Sequence, residues 1–207
     1  MNAKTPLRIS LAGLALACAS AWAASPTAFT AKYQVQQGGE TIGVATVSLK
    51  SAGNGEWTYQ NRSQGTGGLA AAVGATTTET SRFRWTAAGP ETLRYDYSLQ
   101  ATIKTKQRHL SVDPSSRQVS VNDGKGSKTY PGAPGMIDRN TLPYALGLAL
   151  QGGAQNVTLP VAVKQQVENQ QFKVAGNEQV QVPAGSFQAK HVVRADASGY
   201  DAWYVQK

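Results

Sequence analysis

Cysteine and histidine are scarce in this sequence, which has one cysteine and two histidines in 207 residues. No C-x-x-C, H-x-x-x-H or H-E-x-x-H spacing occurs, and His109 and His191 stand far apart along the chain. Structural and catalytic zinc sites, as well as disulfide frameworks, depend on such clusters. The sequence therefore predicts no metal centre and no disulfide bond, and it offers no motif for a cofactor.

Long apolar runs are absent beyond residue 23. The one apolar run, Ile9–Ser20, is too short to cross a bilayer as a helix, which takes about 20 residues. Lys4 and Arg8 precede this run, and Ala21-Trp22-Ala23 follows it with the small residues of a cleavage site. This order is typical of a secretory signal peptide over residues 1–23, cleaved after about Ala23.

Cys18 raises the alternative of a lipoprotein signal. Such signals carry a leucine-like residue three positions before the cysteine, but Ala15 stands there, which argues against a lipoprotein. Cleavage after Ala23 would remove Cys18 and leave a single β-rich domain over residues 24–207 without a transmembrane segment. The style of the signal indicates the periplasm of a Gram-negative bacterium.

Acidic residues are outnumbered, with 12 Asp and Glu against 20 Lys and Arg, for a net charge of +8. An exported basic protein meets lipid headgroups, lipopolysaccharide and acidic polymers rather than nucleic acid. A lipid or an anionic envelope polymer is therefore the expected partner, and the sequence identifies no protein partner. The alternative is that the modest charge only keeps the protein soluble.

Most of the chain shows the alternation of half-buried strands. In residues 29–37, for example, Phe29, Ala31, Tyr33 and Val35 share one side, and Gly38-Gly39 then signals a hairpin turn. Similar runs separated by short turns give about ten to twelve strands. The predicted fold is all-β and mainly antiparallel, as a curved sheet or a barrel-like structure.

One helix interrupts this pattern at about residues 138–152. Leu142, Leu146 and Leu150 recur with helical spacing, Asp138 or Thr141 can cap the start, and Gly152-Gly153 can end the helix. An amphipathic helix must bury its apolar face, so we expect it to pack on the concave side of the sheet. It either seals a filled core or roofs a binding cavity, and we expect a seal.

Three patterns supply candidate ligand-binding residues. Lys104, Lys106 and Arg108 alternate along one strand, either as a solvated face that discourages aggregation or as a row that receives phosphate or carboxylate groups. The uncharged Gly65–Ala75 segment, with Leu69 and Val73, is a tight packing segment, a mobile flap or a surface-inserting loop. Inward-facing aromatics form a core or line a cavity for an acyl chain or glycan. The predicted ligand-binding set is Lys104, Lys106, Arg108, Leu69, Val73 and Trp85.

No arrangement points to catalysis. A G-x-S-x-G motif is absent, and the acidic residues fall in turns, caps or surface positions, so we assign no catalytic residue and expect no enzyme. The leading hypothesis is a non-catalytic envelope protein that binds an amphipathic or anionic component. One alternative is a structural or protein-interaction module with a filled core, which would dock through an exposed strand edge. A hydrolase would require His109 or His191 to approach an acid and a hydroxyl.

Several short motifs together resemble a family of exported bacterial proteins, domain-of-unknown-function family 3108. They are Tyr33-x-Val35, Ile42-Gly43, Ser81-x-Phe83, Leu93-x-Tyr95, the Asp138-led helix, VPAGSF (Val182 to Phe187) and Trp203-Tyr204. The resemblance spans residues 29–205 and implies a periplasmic, mostly antiparallel β protein, without catalytic residues to carry over. Members continue past the Trp strand through a proline turn into a final strand, whereas this sequence stops at Lys207. Either the last strand is missing, which would leave an open edge, or the sequence is truncated.

Overall fold

The structure is a computed structural model that describes residues 25–205, so the predicted signal peptide and Cys18 lie outside the described residues. Within this range it contains thirteen strands and two helices. The strands are β1 (Phe29–Gln37), β2 (Glu40–Gly53), β3 (Glu56–Gly65), β4 (Thr76–Thr86), β5 (Gly89–Ala101), β6 (Lys104–Val112), β7 (Gln118–Asn122), β8 (Ser127–Pro131), β9 (Ile137–Asp138), β10 (Asn156–Ala162), β11 (Val167–Val182), β12 (Gly185–Arg194) and β13 (Asp201–Val205). The helices are α1 (Gly68–Ala72) and α2 (Leu142–Gln151).

Strands β1 to β8 form an antiparallel meander in which each strand pairs with its neighbours in sequence. The sheet curls as a half-barrel, which confirms the predicted all-β, barrel-like class. Ala45, Val47 and Leu49 are buried while the residues between them are not, as expected when one face of β2 packs on a core. The β1–β2 turn uses Gly38 and Gly39 at positive φ, the backbone conformation that tight hairpins require.

The second sheet has five strands in the order β13-β12-β11-β10-β9. Its strand pairs are antiparallel except for the pair of β9 with β10, which is parallel and short. In β10, only Val161 and Ala162 take part in that parallel pair. Pro160, which has no amide hydrogen to donate, pairs with Asn169 of β11 and lies just before the two residues that pair with β9, so β10 is an edge strand at this position. The second sheet leaves β13 as an edge strand.

Helix α2 lies between the two sheets and packs on both of them. Leu142, Leu146 and Leu150 are buried against Phe172 and Val192 of the five-stranded sheet, which confirms the predicted inward face. On its other side, Tyr144 stacks on Tyr59 with ring centroids 5.7 Å apart and approaches Phe83 at 6.3 Å. The helix thus joins the two sheets through a packed core.

Asp138 anchors the chain just before α2 and is fully buried. Its Oδ1 accepts hydrogen bonds from Ser81 Oγ at 2.7 Å and from the backbone amides of Asn140 and Thr141. Its Oδ2 accepts from Thr92 Oγ1 at 2.8 Å and from Thr141 Oγ1 at 2.9 Å. Burial raises the pKa of the Asp138 carboxyl, and the bonds from Ser81 and Thr92 oppose that shift.

The predicted helix start at about residue 138 was wrong, because Asp138 lies in β9 and α2 begins at Leu142, with Thr141 as its N-cap and no side-chain capping bond. Asp138 instead ties the chain before α2 to β4 and β5.

The Gly65–Ala75 segment corrects the expectation of a single helix, because it contains the short helix α1. A Cβ at Gly65 would stand 2.5 Å from the Ala70 backbone, and one at Gly67 would stand 2.6 Å from the Thr41 carbonyl oxygen. These glycines allow α1 to lie directly on β2 and β3, as the tight-packing interpretation predicts. Leu69, by contrast, is 79% exposed, as expected for a surface loop.

Neither helix within residues 25–205 is long and apolar enough to cross a membrane.

Candidate functional site

Several turns meet at one end of the eight-stranded sheet, which we call the α1 end. Antiparallel pairing places the first residues of β4 and β6 and the last residues of β5 and β7 at this end. The α1 end therefore comprises residues 38–41, 66–75, 102–108 and 123–128, and the loop 163–166 joins it where Lys164 contacts Asp123.

The cationic row of β6 lies at this end, on the inner face of the sheet. Residues paired across antiparallel strands share a face, and Leu110 pairs with Tyr95 in the core, where both are buried. Lys104, Lys106 and Arg108 follow on the same side of β6, two residues apart. The three cations therefore lie on the same face of β6 as the buried Leu110, but closer to the α1 end, where the half-barrel opens.

A basic cleft surrounds this row. A groove of about 550 Å³ is lined by Lys104, Lys106, Arg108, Asp123, Lys125 and Lys164. A smaller recess of about 200 Å³ shares Arg108 and Lys164 with this groove and extends to Tyr95 and Arg139. Asp123 is the acidic residue of the groove, and its hydrogen bond from Lys164 lowers the pKa of the Asp123 carboxyl. The remaining cations give the basic cleft a positive charge.

Arg108 has an unmet hydrogen-bonding capacity in this cleft. Its Nε is buried and has no acceptor among residues 25–205. Leaving a buried donor without a partner costs about 1–3 kcal/mol. The neighbouring Arg139 differs, because its guanidinium donates to Glu79 at 3.2 Å and lies 5.7 Å from the centre of the Tyr97 ring. Arg108 is therefore the inner cation of the cleft, and its Nε has a hydrogen-bonding capacity that the described residues leave unused.

An apolar tip, which we define as Leu69 and Ile103, projects beside the cleft. These side chains are 79% and 83% exposed, the highest values among the large apolar residues that the structure describes. They belong to neighbouring segments, since Thr102 donates hydrogen bonds from both its amide and its hydroxyl to the Val73 carbonyl, at 2.9 and 3.1 Å. Val73 thus helps to hold the tip, and sequence reasoning missed Ile103.

Trp85 is the one predicted site residue that lies elsewhere. It pairs with Pro90 on β5, whereas Lys106 pairs with Leu99 on the same strand. Nine residues of strand separate these positions by about 30 Å. The Trp85 ring packs against the core cluster of Tyr59 and Phe83, although its Nε1, like Arg108 Nε, is buried without a partner in the described part of the chain. The structure therefore groups Lys104, Lys106, Arg108, Leu69 and Val73 and leaves Trp85 apart.

His191 forms a separate cluster on the five-stranded sheet. Its Nδ1 lies 2.8 Å from Glu178 and its Nε2 lies 2.9 Å from Asp201, so that the ring bridges β11 and β13. Trp203 stacks on the imidazole with centroids 4.6 Å apart and donates from Nε1 to Glu178 at 2.8 Å. The hydrogen bond to Asp201, together with Glu178, raises the pKa of His191. The cluster therefore fastens the edge strand β13.

Neither histidine has the surroundings that nucleophilic catalysis requires. His109 Nδ1 lies 2.6 Å from Asp96, and within residues 25–205 no hydroxyl group is hydrogen-bonded to His109 or His191. The described part of the chain also contains no group of three or more His, Cys, Asp and Glu residues placed to hold a metal ion. The geometry thus gives the hydrolase hypothesis no support.

The His191 cluster makes stability depend on pH in a defined direction. Because the folded-state pKa of His191 lies above its ordinary value of 6.5, the contribution is complete below pH 6.5 and is lost as pH rises through the folded-state value. Urea unfolding at a series of pH values should therefore show the wild type losing part of its stability between acidic and mildly alkaline pH. The His191→Gln variant should show a smaller loss over that interval. An identical loss in the two proteins would contradict this assignment.

Comparison with known proteins gives one family and two distant structural likenesses. The family model described as "Protein of unknown function (DUF3108)" matches residues 32–205. A beta-barrel-like protein of domain of unknown function DUF1849 from Brucella abortus is 10% identical, with 74% of this chain and 69% of that chain covered and a TM-score of 0.41. A DUF1089 family protein from Pseudomonas aeruginosa is 12% identical, with coverages of 98% and 92% and a TM-score of 0.39. No curated protein matches the chain.

Proposed function

This chain belongs to the DUF3108 family of proteins of unknown function, and on that premise we propose that it is a non-catalytic binding protein of the bacterial cell envelope. Its ligand is an anionic, amphipathic envelope component, and the charged group of that component occupies the basic cleft. A phosphate of a lipid headgroup or of a lipopolysaccharide-like molecule has the required chemistry. The predicted signal peptide supports the location, because it directs the chain out of the cytoplasm.

The observation that carries the proposal is the placement of Arg108. Arg108 lies where the groove and the deeper recess meet, and its buried Nε has no acceptor among the residues that the structure describes. A guanidinium group offers several N–H donors in a planar fork, which matches the oxygen atoms of a phosphate. A phosphate bound in the groove that Arg108 lines would offer several acceptor oxygens to this guanidinium group.

The surrounding lysines extend the attraction beyond Arg108. Lys104 and Lys106 share its strand, while Lys125 and Lys164 line the opposite side of the groove. A lysine or arginine close to an anionic membrane surface contributes about 1 kcal/mol of binding free energy, and salt screens that contribution. Several such residues on one end of a protein give substantial, salt-dependent affinity without catalysis.

The packed core around α2 favours this external site over a cavity beneath that helix. Helix α2 packs on both sheets, with Leu146 and Leu150 almost completely buried between them. The space beneath α2 is therefore occupied by side chains, and the cleft at the α1 end is a surface feature. The ligand's charged group would be held there, at the mouth of the half-barrel.

Edge strand β13 supports a second candidate function, the docking of an extended segment of another protein. Its outer edge pairs with no strand among the described residues, and Trp203 and Val205 are 45% and 42% exposed. Val182 of the neighbouring hairpin, 42% exposed, lines the same groove. Unprotected apolar edges of this kind can accept an added strand.

Vesicle co-sedimentation tests the proposed function. Vesicles of phosphatidylcholine alone should not retain the protein, whereas vesicles that also contain phosphatidylglycerol should bind it at about 0.02 M NaCl and release most of it at about 0.5 M NaCl. Equal binding to both vesicle types would overturn the proposal, as would a protein that binds neither kind of vesicle and also fails to bind a soluble phosphate compound such as inorganic pyrophosphate. The absence of binding would leave the docking of a protein at β13 as the better supported function.

A further inference from the structure

We propose that the apolar tip, Leu69 with Ile103, inserts into the acyl-chain region of an anionic membrane while the basic cleft binds the headgroups. This inference rests on the proposed function and narrows its ligand from an anionic group in general to a lipid surface. It assigns a role to Ile103 and gives Leu69 a defined orientation relative to the bilayer.

The first support is the degree of exposure of the tip. Most large apolar side chains of this protein are buried or half-buried, but Leu69 and Ile103 expose about four-fifths of their surface. Adjacent exposed apolar groups on a water-soluble surface commonly mark a site of interaction. Two aliphatic side chains at the extremity of a domain suit shallow insertion into a bilayer.

The second support is that the tip is held in place. The backbone around α1 is fixed by hydrogen bonds from the Gly65 amide to the Ala75 carbonyl at 2.8 Å and from the Gly67 amide to the Ile42 carbonyl at 3.2 Å. Thr102 bonds twice to the Val73 carbonyl and so joins the β5–β6 turn to this segment. The two segments that carry Leu69 and Ile103 are therefore joined by hydrogen bonds, which limits the entropy lost on binding.

The third support is charge complementarity. Lys104 directly follows Ile103, and Lys106 and Lys125 line the adjoining groove. The acidic residues of the α1 end are Glu40 and Asp123, and Asp123 is paired with Lys164. Apolar groups flanked by lysines are the pattern of protein surfaces that bind anionic membranes.

The apolar surface around β13 lacks this complementarity. Glu178 and Asp201 lie beside Trp203, and their side chains are 48% and 58% exposed. Exposed carboxylates next to an apolar patch are repelled by an anionic lipid surface. That patch therefore provides a control surface of similar apolar character at a different place on the molecule.

A pair of double variants tests the inference. Leu69→Ser/Ile103→Ser should lower the partition coefficient onto phosphatidylcholine–phosphatidylglycerol vesicles about tenfold or more, because the contribution of the inserted apolar groups is lost. The control variant Val182→Ser/Val205→Ser should change it by less than about twofold. Calorimetry with inorganic pyrophosphate should show that the tip variant binds this soluble anion as tightly as the wild type does.

The outcomes separate the inference from the proposed function. If the wild type binds neither vesicles nor pyrophosphate, the proposed function and the inference both fail. If it binds pyrophosphate but not vesicles, or if the tip variant binds vesicles as well as the wild type does, the inference alone is overturned. Loss of vesicle binding with retained pyrophosphate binding supports both.

A fluorescent label reports insertion directly. Residues 24–207 contain no cysteine, so Ile103→Cys and Val182→Cys each allow one nitrobenzoxadiazole group to be attached to a chain that begins there. With anionic vesicles, the emission of the label on the Ile103→Cys variant should shift to shorter wavelength, while that on the Val182→Cys variant should not. A shift at position 182 alone, or at neither position, would overturn the inference.

Discussion

Replacing Asp138 by leucine should lower the free energy of unfolding by about 3 kcal/mol or more. The substitution approximately preserves volume but removes the acceptor for two backbone amides, those of Asn140 and Thr141, and for three hydroxyl groups. Each buried donor left without a partner costs about 1–3 kcal/mol. A loss of this size would lower the melting temperature by about 6–12 °C in a domain of this length. Urea unfolding followed by circular dichroism measures the loss.

Asp113 provides a matched control for this substitution. Its Oδ1 also accepts two backbone amides, from Ser115 and Ser116, both at 2.8 Å, but the carboxylate lies in an exposed turn where water can replace it. Asp113→Leu should therefore cost less than about 1 kcal/mol. If Asp138→Leu does not fold, the milder Thr92→Val still tests the network, with an expected loss of about 1–3 kcal/mol. If both Thr92→Val and Asp138→Leu have the same free energy of unfolding as the wild type, the anchoring role of Asp138 is contradicted.

Removing the cationic row should nearly abolish binding to anionic vesicles. The triple variant Lys104→Gln/Lys106→Gln/Arg108→Gln loses three positive charges, each of which contributes about 1 kcal/mol near an anionic surface. The partition coefficient should therefore fall about 100-fold, since about 1.4 kcal/mol corresponds to a factor of ten. Vesicle co-sedimentation at low salt measures this change, and circular dichroism checks that the fold is retained.

The control changes the same amount of charge at the opposite end of the sheet. Lys50, Arg84 and Arg117 are exposed residues near the turns that lie farthest from α1. Their triple replacement by glutamine alters the net charge equally but leaves the basic cleft intact, so the partition coefficient should fall by less than about tenfold. Equal losses in the two triple variants would show that net charge, rather than the cleft, determines binding.

The antiparallel β fold could be predicted because its signals are local. Each strand that buries one face shows alternation, as β2 does with Ala45, Val47 and Leu49, and α2 shows the helical spacing of its leucines. The division into two sheets and the parallel pairing of β9 with β10 depend on contacts between distant segments. Helix α1 was missed because it is short and rich in glycine and is held by its packing on β2 and β3.

The candidate site could be predicted only in part, for a related reason. The spacing of Lys104, Lys106 and Arg108 reveals a row, but its position on the inner face follows from the register of β6 with β5. Ile103 was missed because Thr102 and Ile103 form the turn between β5 and β6, and the position of that turn follows from the pairing of the two strands. The carboxylates that flank His191 stand 10 and 13 positions away along the chain and approach it through hairpin pairing.

Nuclear magnetic resonance tests most directly whether the α1 end is the surface that binds anionic lipid. Anionic bicelles should be added to the isotopically labelled protein, with neutral bicelles as the reference, while backbone amide shifts are followed. We expect the backbone amide shift changes that occur only with anionic bicelles to cluster in residues 66–75, 102–108 and 123–128. Shifts centred on residues 113–117 or on β13, or no difference between the two kinds of bicelle, would contradict this expectation.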